Sequence, residues 1–121
     1  MLFFMPDSSF AHLSREKYID LVTFRKSGAP VHTPVWFAEQ EGKLYVMTRS
    51  DSGKAKRLRN NPRVKIAPST MRGKVTGPAV AGTAKVTSDA EHARQLIRKK
   101  YLLARLPIWS KNNVYLEISP A

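Results

Sequence analysis

The sequence predicts a mainly β protein, a six-stranded antiparallel β-barrel with helices packed outside it. Several short segments alternate apolar and polar residues, which is the pattern of half-buried strands. Tight turn sequences such as Glu41-Gly42 join neighbouring segments. Helical patterns do not alternate regularly with strands, as they do in a doubly wound fold. Closing the sheet into a barrel also removes exposed strand edges.

The chain is expected to begin with a short helix and a strand. The helix starts at Ser8 or Ser9, either of which is a suitable cap, and reaches about Lys17. Tyr18–Phe24 is rich in β-branched and aromatic residues and is predicted to be a strand. Gly28 lies in the turn that follows, where it is free to adopt a positive φ angle.

Val31 to Ala38 alternates with a period of two, so it is predicted to be one strand. One side carries Val31, Thr33, Val35 and Phe37, and the other carries His32, Pro34, Trp36 and Ala38. A proline within a strand indicates a sheet edge or a bulge, since it donates no hydrogen bond. Lys43–Thr48 is expected to return as the hairpin partner of this strand.

The second half predicts two helices and three strands. Gly53–Asn60 is a helix that Pro62 terminates. Ser88 and Glu91 match a capping box and open a helix to about Ala104. The buried side of that helix is expected to carry Ala93, Leu96, Ile97, Tyr101 and Ala104. The strands are Arg63–Ala67, with Val64 and Ile66 inward, Ala79–Thr87, and Val114–Ile118.

Length and composition narrow the class of protein. The 121 residues fit a single domain spanning residues 1–121, and a domain of this size gains stability from association. There is no cysteine, which excludes disulfides and thiol chemistry. The apolar start Met1–Met5 lacks a basic flank and is too short for a signal peptide or a membrane span. A cytoplasmic protein with no membrane partner is therefore expected.

The positive charge is concentrated in one segment. The formal net charge is +12, and residues 49–74 hold nine basic residues and one acid, a net +8. Such a field attracts a polyanion or a multiply charged ligand. A solvated basic surface that serves only solubility is the alternative.

A phosphate site is predicted where a strand gives way to the second helix. Free backbone N–H groups at a helix start attract anions, and a lysine there opposes the macrodipole unless an anion is present. The candidate ligands are Thr48, Ser52, Gly53, Lys54, Lys56 and Arg57. Thr48 and Ser52 are equally suited to simple capping. Asp51 is an alternative cap, and its carboxylate would then repel a phosphate unless it points outward.

The tryptophan-bearing segment Thr33-Pro34-Val35-Trp36-Phe37 is a candidate to face a flat ring. Trp36 is suited to contact with a ligand or a partner subunit, or to a place in the core. Arg72 lies in a predicted loop and is a candidate for contact with an anionic tail, although a solvated loop explains it equally well. The phosphate site and this segment together indicate a phosphorylated aromatic cofactor.

Other chemistries find little support. His12, His32 and His92 show no metal-ligand spacing, and no Ser-His-Asp arrangement is apparent. Ser52-Gly53-Lys54 lacks the upstream glycine of a nucleoside-triphosphate loop. Aromatic residues are not interleaved with the basic run 54–65, so nucleic acid is an unlikely partner.

The order of three segments resembles a known family. The segments are VTFRKSGAPVHTPVWF, GKLYVMT and SGKAKRLRNNPRV, within residues 17 to 87. They resemble the pyridoxamine-phosphate-oxidase-like flavin-binding split-barrel proteins, and most of all the small branch that uses the deazaflavin coenzyme F-420.

The resemblance implies a homodimer of split barrels with cofactor sites at the interface. It places the cofactor phosphate at Thr48, Ser52, Gly53 and Lys54, with Lys56 and Arg57 as further candidates, and the ring along the backbone of Thr33–Trp36. It also implies hydride transfer between the cofactor and a small conjugated substrate, for which biliverdin-like tetrapyrroles are one candidate. The basic segment favours F-420, which carries a phosphodiester and an oligoglutamate tail. FMN is the alternative cofactor, and a noncatalytic flavin, haem or nucleic-acid binder is the alternative function. Catalytic residues are not identified.

Overall fold

Seven strands and two helices make up the part of the chain that the structure describes. The structure is a computed structural model, and it describes residues 10, 13, 15–101 and 113–121. The strands are β1 (Tyr18–Phe24), β2 (Pro30–Val35), β3 (Ala38–Gln40), β4 (Lys43–Arg49), β5 (Arg63–Ser69), β6 (Val80–Val86) and β7 (Asn113–Pro120). The helices are α1 (Gly53–Asn60) and α2 (Ala90–Lys100).

All seven strands join one antiparallel sheet in the order β2-β1-β5-β6-β7-β4-β3. The edge strands β2 and β3 are consecutive in the chain, so the sheet curls until its two edges approach each other. Helix α1 contacts both β1 and β4, and it therefore lies across the gap that the curled sheet leaves. This arrangement confirms the predicted mainly β fold, an antiparallel split barrel with flanking helices.

The extra strand arises because the predicted strand Val31–Ala38 is interrupted. β2 pairs with β1 and ends at Val35, whereas β3 begins at Ala38 and pairs with β4. Between them, the N–H of Phe37 donates to the Tyr101 hydroxyl at 3.0 Å, and the Phe37 carbonyl lies 2.8 Å from the same oxygen. A side chain thus replaces the strand ladder at Phe37, which is why the pairing breaks there.

The inner face of the sheet encloses the main core. Its fully buried residues are Phe10, Leu13, Ile19, Leu21, Phe37, Leu44, Val46, Val64, Ile66, Leu116 and Ile118. Val64 and Ile66 point inward as predicted. The predicted alternation also holds across the break, since Val35 and Phe37 belong to this core while Trp36 and Ala38 belong to a second cluster on the outer face.

Helix α2 covers that second, outer cluster. Ala93, Ile97 and Tyr101 are buried there as predicted. Two details differ from the prediction. The cap is Asp89 and not Ser88, because the Asp89 carboxylate accepts the His92 N–H at 3.1 Å. The helix ends at Lys100 and not near Ala104, since Tyr101 adopts an extended backbone and turns its hydroxyl toward Phe37.

Helix α1 and the turns follow the sequence closely. α1 spans the predicted residues, and β1, β4, β5, β6 and β7 match their predictions to within two residues at each end. Gly28 adopts φ +91°. Glu41 and Gly42 both have positive φ, as a two-residue hairpin turn requires. The first predicted helix was wrong where it can be checked, since residues 10, 13 and 15–17 are not α-helical. The rest of that segment, which includes His12, and the end of the last predicted helix lie outside the described residues. Within those residues, no helix is long and apolar enough to cross a membrane.

Candidate functional site

The start of α1 is built by short-range hydrogen bonds. Ser52 is the N-cap, and its hydroxyl accepts the Ala55 N–H at 3.1 Å. The Thr48 and Ser52 hydroxyls lie 2.9 Å apart, which ties the end of β4 to the helix start. No acidic residue occupies the first turn of the helix. The positive end of the helix dipole therefore has no carboxylate against it in that turn.

Asp51 does not cap α1. Its exposed carboxylate accepts from Arg49 Nε at 3.1 Å and from Arg49 Nη2 at 3.2 Å. Hydrogen bonding and charge from Arg49 hold the pKa of Asp51 below its usual value. The carboxylate is thus directed to a neighbouring cation and not to the helix N–H groups, which removes the conflict with a phosphate.

Arg57 lies over the first turn of its own helix. Its Nε donates to the buried Thr23 hydroxyl on β1 at 2.7 Å. A methyl group built on Gly53 would lie 2.8 Å from Arg57 Nη1, so only a glycine lets the guanidinium lie this close to the backbone. Gly53 thereby helps to place a fixed positive charge at the helix start.

Lys54 is half-buried beside this guanidinium. Burial, together with the charge of Arg57, lowers the pKa of Lys54 below its ordinary value. Over the described ranges, 15–101 and 113–121, no carboxylate lies within ion-pair distance of its ammonium group. Two cations share a partly buried corner without an acid, so a bound anion would relieve their repulsion.

A cleft of about 300 Å³ lies on the outer face of the sheet. It is lined by Tyr18, Pro34, Val35, Trp36, Met47 and Ile97. The Trp36 ring stacks on the Tyr101 ring, with centroids 4.7 Å apart and planes 10° from parallel. One face of the indole is therefore covered by protein, and a ligand ring has only the other face or the edge to contact.

The loop carrying Arg72 borders this cleft. Arg72 itself is exposed. A methyl group built on its neighbour Gly73, which has φ +91°, would lie 3.8 Å from the Pro34 ring. The loop between β5 and β6 therefore packs against the strand that carries the predicted ring segment.

The structure thus sorts the predicted residues into two groups. Thr48, Ser52, Gly53, Lys54 and Arg57 gather at the start of α1, and Pro34, Val35, Trp36 and the Arg72 loop gather at the outer cleft. Thr33 faces inward opposite Leu21, and Lys56 is exposed on α1. β2 is an edge strand, so a ligand lying along it would reach groups on both faces.

Sequence reasoning missed a buried acid beside the outer cleft. Asp20, on β1, has a side chain only 3% exposed, and its Oδ2 lies 2.7 Å from His32 Nδ1 on β2. The other carboxylate oxygen, Oδ1, is buried with no hydrogen-bond partner in the described part of the chain. The signal available in the sequence was an acid in the middle of the apolar run Tyr18–Phe24, since strands rarely bury an unpaired carboxylate.

Lys100 was also missed. Its ammonium group lies 3.5 Å from the centroid of the Phe37 ring. Burial lowers the pKa of Lys100 to about 8, and the more distant carboxylates of Glu16 and Glu39 only partly oppose this. The ammonium group over the ring face has the geometry of a cation–π contact.

A second cleft, of about 330 Å³, lies between α1 and strands β6 and β7. It is lined by Ala55, Leu58, Arg59, Pro62, Ala84, Lys85, Val86, Val114 and Leu116. The predicted cofactor residues do not appear among these lining residues.

Comparison with protein families identifies the group to which this fold belongs. The model of the family described as pyridoxamine 5'-phosphate oxidase matches residues 5–121. The chain belongs to this family. Membership confirms the resemblance to the pyridoxamine-phosphate-oxidase-like family that the three sequence segments indicated. Comparison with curated proteins gives no match.

Solved structures with this fold bind different ligands. A heme binding protein from Mycobacterium smegmatis has a TM-score of 0.74 at 14% identity, covering 98% of this chain and 52% of that chain. A FAD-binding protein from Mesorhizobium loti has a TM-score of 0.67 at 20% identity, covering 90% and 84%. An F420 reductase has a TM-score of 0.62 at 18% identity, covering 90% of each chain. At these identities the likeness concerns the fold alone.

Proposed function

We propose that this protein is a homodimeric, cytoplasmic oxidoreductase that binds coenzyme F-420 and transfers hydride to a small conjugated organic substrate. The cofactor phosphate would lie at the start of α1, and its ring would lie along the edge strand β2 at Thr33–Trp36. The partner subunit would complete each site. Biliverdin-like tetrapyrroles are the first substrates to test.

The observation that carries this proposal is the pair of cations at the start of α1. Lys54 and Arg57 share a partly buried corner with the positive end of a helix and with the Ser52 and Thr48 hydroxyls. Asp51, the nearest acid in sequence, is engaged by Arg49. Because no carboxylate of the described residues neutralises Lys54, the corner fits a phosphate group.

The residues divide the work of binding. Lys54 and Arg57 would supply charge to the phosphate, and the Ser52 or the Thr48 hydroxyl would donate a hydrogen bond to one of its oxygens. Pro34 and Trp36 would position the ring against the outer cleft and keep water from one side of it. The cofactor, when bound, supplies the hydride chemistry. The protein therefore needs residues that bind the phosphate, a surface that positions the ring and a substrate cavity more than it needs an acid–base triad.

The basic segment favours F-420 over FMN. A net charge of +8 over residues 49–74 suits a ligand with a phosphodiester and an oligoglutamate tail better than one with a single phosphate. Arg72, on the loop beside Pro34, lies where it would meet an extended anionic tail. FMN remains the alternative cofactor, and a noncatalytic binder of flavin or haem is the alternative function, since haem binders share the fold.

Titration of the purified protein with F-420 and with FMN tests the proposal. We expect F-420 fluorescence to change saturably on binding, with weaker binding of FMN. The Lys54→Ala variant should bind F-420 about tenfold more weakly, about 1.4 kcal/mol, and keep its fold. Lys26→Ala, which removes the same charge from an exposed turn, is the control and should bind as the unaltered protein does.

The outcomes separate the alternatives. A yellow protein as purified, with the absorbance of oxidised flavin, would favour FMN. Haem binding without affinity for either flavin would favour the noncatalytic alternative. Equal F-420 affinity of Lys54→Ala and Lys26→Ala would remove Lys54 from the site. Sedimentation of the unaltered protein as a monomer would contradict the shared site.

A further inference from the structure

The outer face of the sheet carries a hydrogen-bonded carboxylate–imidazole pair. Asp20 Oδ2 lies 2.7 Å from His32 Nδ1. When the Asp20 carboxylate is ionised it only accepts hydrogen bonds, and Nδ1 is then the donor that holds the ring in one orientation. The imidazole side chain is 61% exposed while the carboxylate side chain is 3% exposed. Nε2 is therefore the ring nitrogen that the pairing leaves available.

The pair lies next to Pro34, a residue that lines the outer cleft. Asp20 lies directly opposite Pro34 in the register of β1 and β2, and Pro34 lines the cleft. His32, Pro34 and Trp36 are successive residues on one face of the strand segment, so the Cα atom of His32 lies about 7 Å from that of Pro34. The imidazole therefore belongs to the strand position next to the cleft lining, whereas the other described histidine, His92, lies on α2 against Tyr45.

Burial of Asp20 has a cost that a purely structural role does not explain. Its Oδ1 has no hydrogen-bond partner in the part of the chain described. A neutral side chain at this position would avoid that cost. A carboxylate fixed behind an exposed imidazole stabilises the ring when it is positively charged, and this is what a group that delivers protons requires.

We propose that His32 is the general acid of this site and that Asp20 is its positioning residue. The proposal rests on the function proposed above. The cofactor, when bound and reduced, would supply hydride to a carbon of the conjugated acceptor, and the displaced electron pair would move to the conjugated nitrogen or oxygen. That atom takes the proton from His32 Nε2. The imidazolium becomes neutral imidazole and regains a proton from solvent, the acceptor is reduced by two electrons, and the cofactor is oxidised.

The first experiment measures the position of His32 without measuring activity. The protein is treated with diethyl pyrocarbonate, which modifies accessible imidazole nitrogens, and each histidine is followed by mass spectrometry. Both His32 and His92 are exposed and should react in the free protein. Saturating F-420 with biliverdin should protect His32 and leave His92 reactive. Equal modification of His32 with and without these ligands would overturn the proposal.

The second experiment measures the proton-transfer step. Oxidation of reduced F-420 is followed with biliverdin and, separately, with menadione as the acceptor. His32→Gln should lower the rate about 100-fold with unchanged F-420 affinity and unchanged thermal stability. Free imidazole should restore part of the rate to His32→Ala, and Asp20→Asn should show a smaller loss. The control His92→Gln should match the unaltered protein.

The failures are distinguishable. If the unaltered protein binds neither F-420 nor FMN, or oxidises reduced F-420 with neither acceptor, the proposed function fails and this assignment fails with it. If the unaltered protein is active and His32→Gln is equally active, only the role of His32 is lost. A His32→Gln variant that loses stability and F-420 affinity together, with no rescue of His32→Ala by imidazole, would show that the pair serves only to join β1 to β2.

Discussion

The two groups of site residues obtain their geometry in different ways. At the start of α1, Thr48, Ser52 and Arg57 lie within ten residues of chain, and most of their contacts follow from one strand end and one helix cap. At the outer cleft, Tyr101 reaches Phe37 across 64 residues of sequence. The comparison teaches that the start of α1 is mainly a local structure, which the Arg57–Thr23 hydrogen bond joins to β1, whereas the cleft exists only when the whole sheet and α2 are assembled.

Loss of the Tyr101 hydroxyl should therefore strongly destabilise the region around the cleft. The Tyr101 hydroxyl oxygen accepts the Phe37 N–H and lies within hydrogen-bond distance of the carbonyls of Phe37 and Lys17. Tyr101→Phe leaves the buried Phe37 N–H without its acceptor, so we expect a loss of about 2 kcal/mol in the free energy of unfolding by urea denaturation. Tyr45→Phe is the control, because no hydrogen bond of the Tyr45 hydroxyl occurs among the described residues. Equal stability of the two variants would show that the cleft does not depend on this contact.

Lys100 offers a pH-dependent test of the same region. Its pKa is about 8 in the folded protein and 10.5 as a free side chain. Between these values the unfolded chain binds more protons, so this group makes stability rise with pH from about 8 to 10, on the order of 1 kcal/mol after solvent screening. Tyr101, whose pKa burial raises to about 12, contributes its opposite effect mainly above this range.

Chemical denaturation at pH 8 and pH 10 measures the effect. Lys100→Met should be more stable than the unaltered protein at pH 8, and its rise in stability toward pH 10 should be smaller. The neighbouring exposed lysine provides the matched variant, Lys99→Met, which should keep the full rise. If the stability of both variants rose by the same amount between pH 8 and pH 10, the rise would come from the general loss of positive charge and not from Lys100.

The smallest change is expected in F-420 affinity, at the start of α1 where the phosphate is proposed to bind. In Gly53→Ala the new methyl group displaces the Arg57 guanidinium and weakens its hydrogen bond to Thr23. The displaced atoms are the end of a flexible side chain, so stability should change little, while F-420 should bind about threefold more weakly, about 0.7 kcal/mol. Thr23→Val removes the same hydrogen bond from the other side and should give a similar loss of binding. Unchanged F-420 affinity in both variants would show that Arg57 need not be fixed.

Much of the fold is predictable from the sequence because its signals are local. Period-two alternation, the Glu41-Gly42 turn and the stop at Pro62 identify five strands and α1 closely. The division of Val31–Ala38 into two strands is not predictable in this way, since it depends on the Tyr101 hydroxyl. The cap at Asp89 was ambiguous because Ser88 is an equally good capping residue.

The residues of the candidate site were also only partly predictable from the sequence. The residues around Ser52 and Lys54 were identified from a strand end, a helix start and their charges. Whether they bind a phosphate stays a prediction. The Asp20–His32 pair was not found, because the two residues meet only through the register of β1 and β2. An acid within an apolar strand was visible in the sequence, but its partner was not.

The break at Trp36 and Phe37 also limits how the molecule can deform. Two residues connect the outermost strands of the sheet, and three chain steps from Val35 to Ala38 span at most about 10 Å. The two edge strands, β2 and β3, are therefore held close together at one end of the gap between them. If the gap between β2 and β3 widens to admit a bulky ligand, it must widen at the other end, where α1 lies across it.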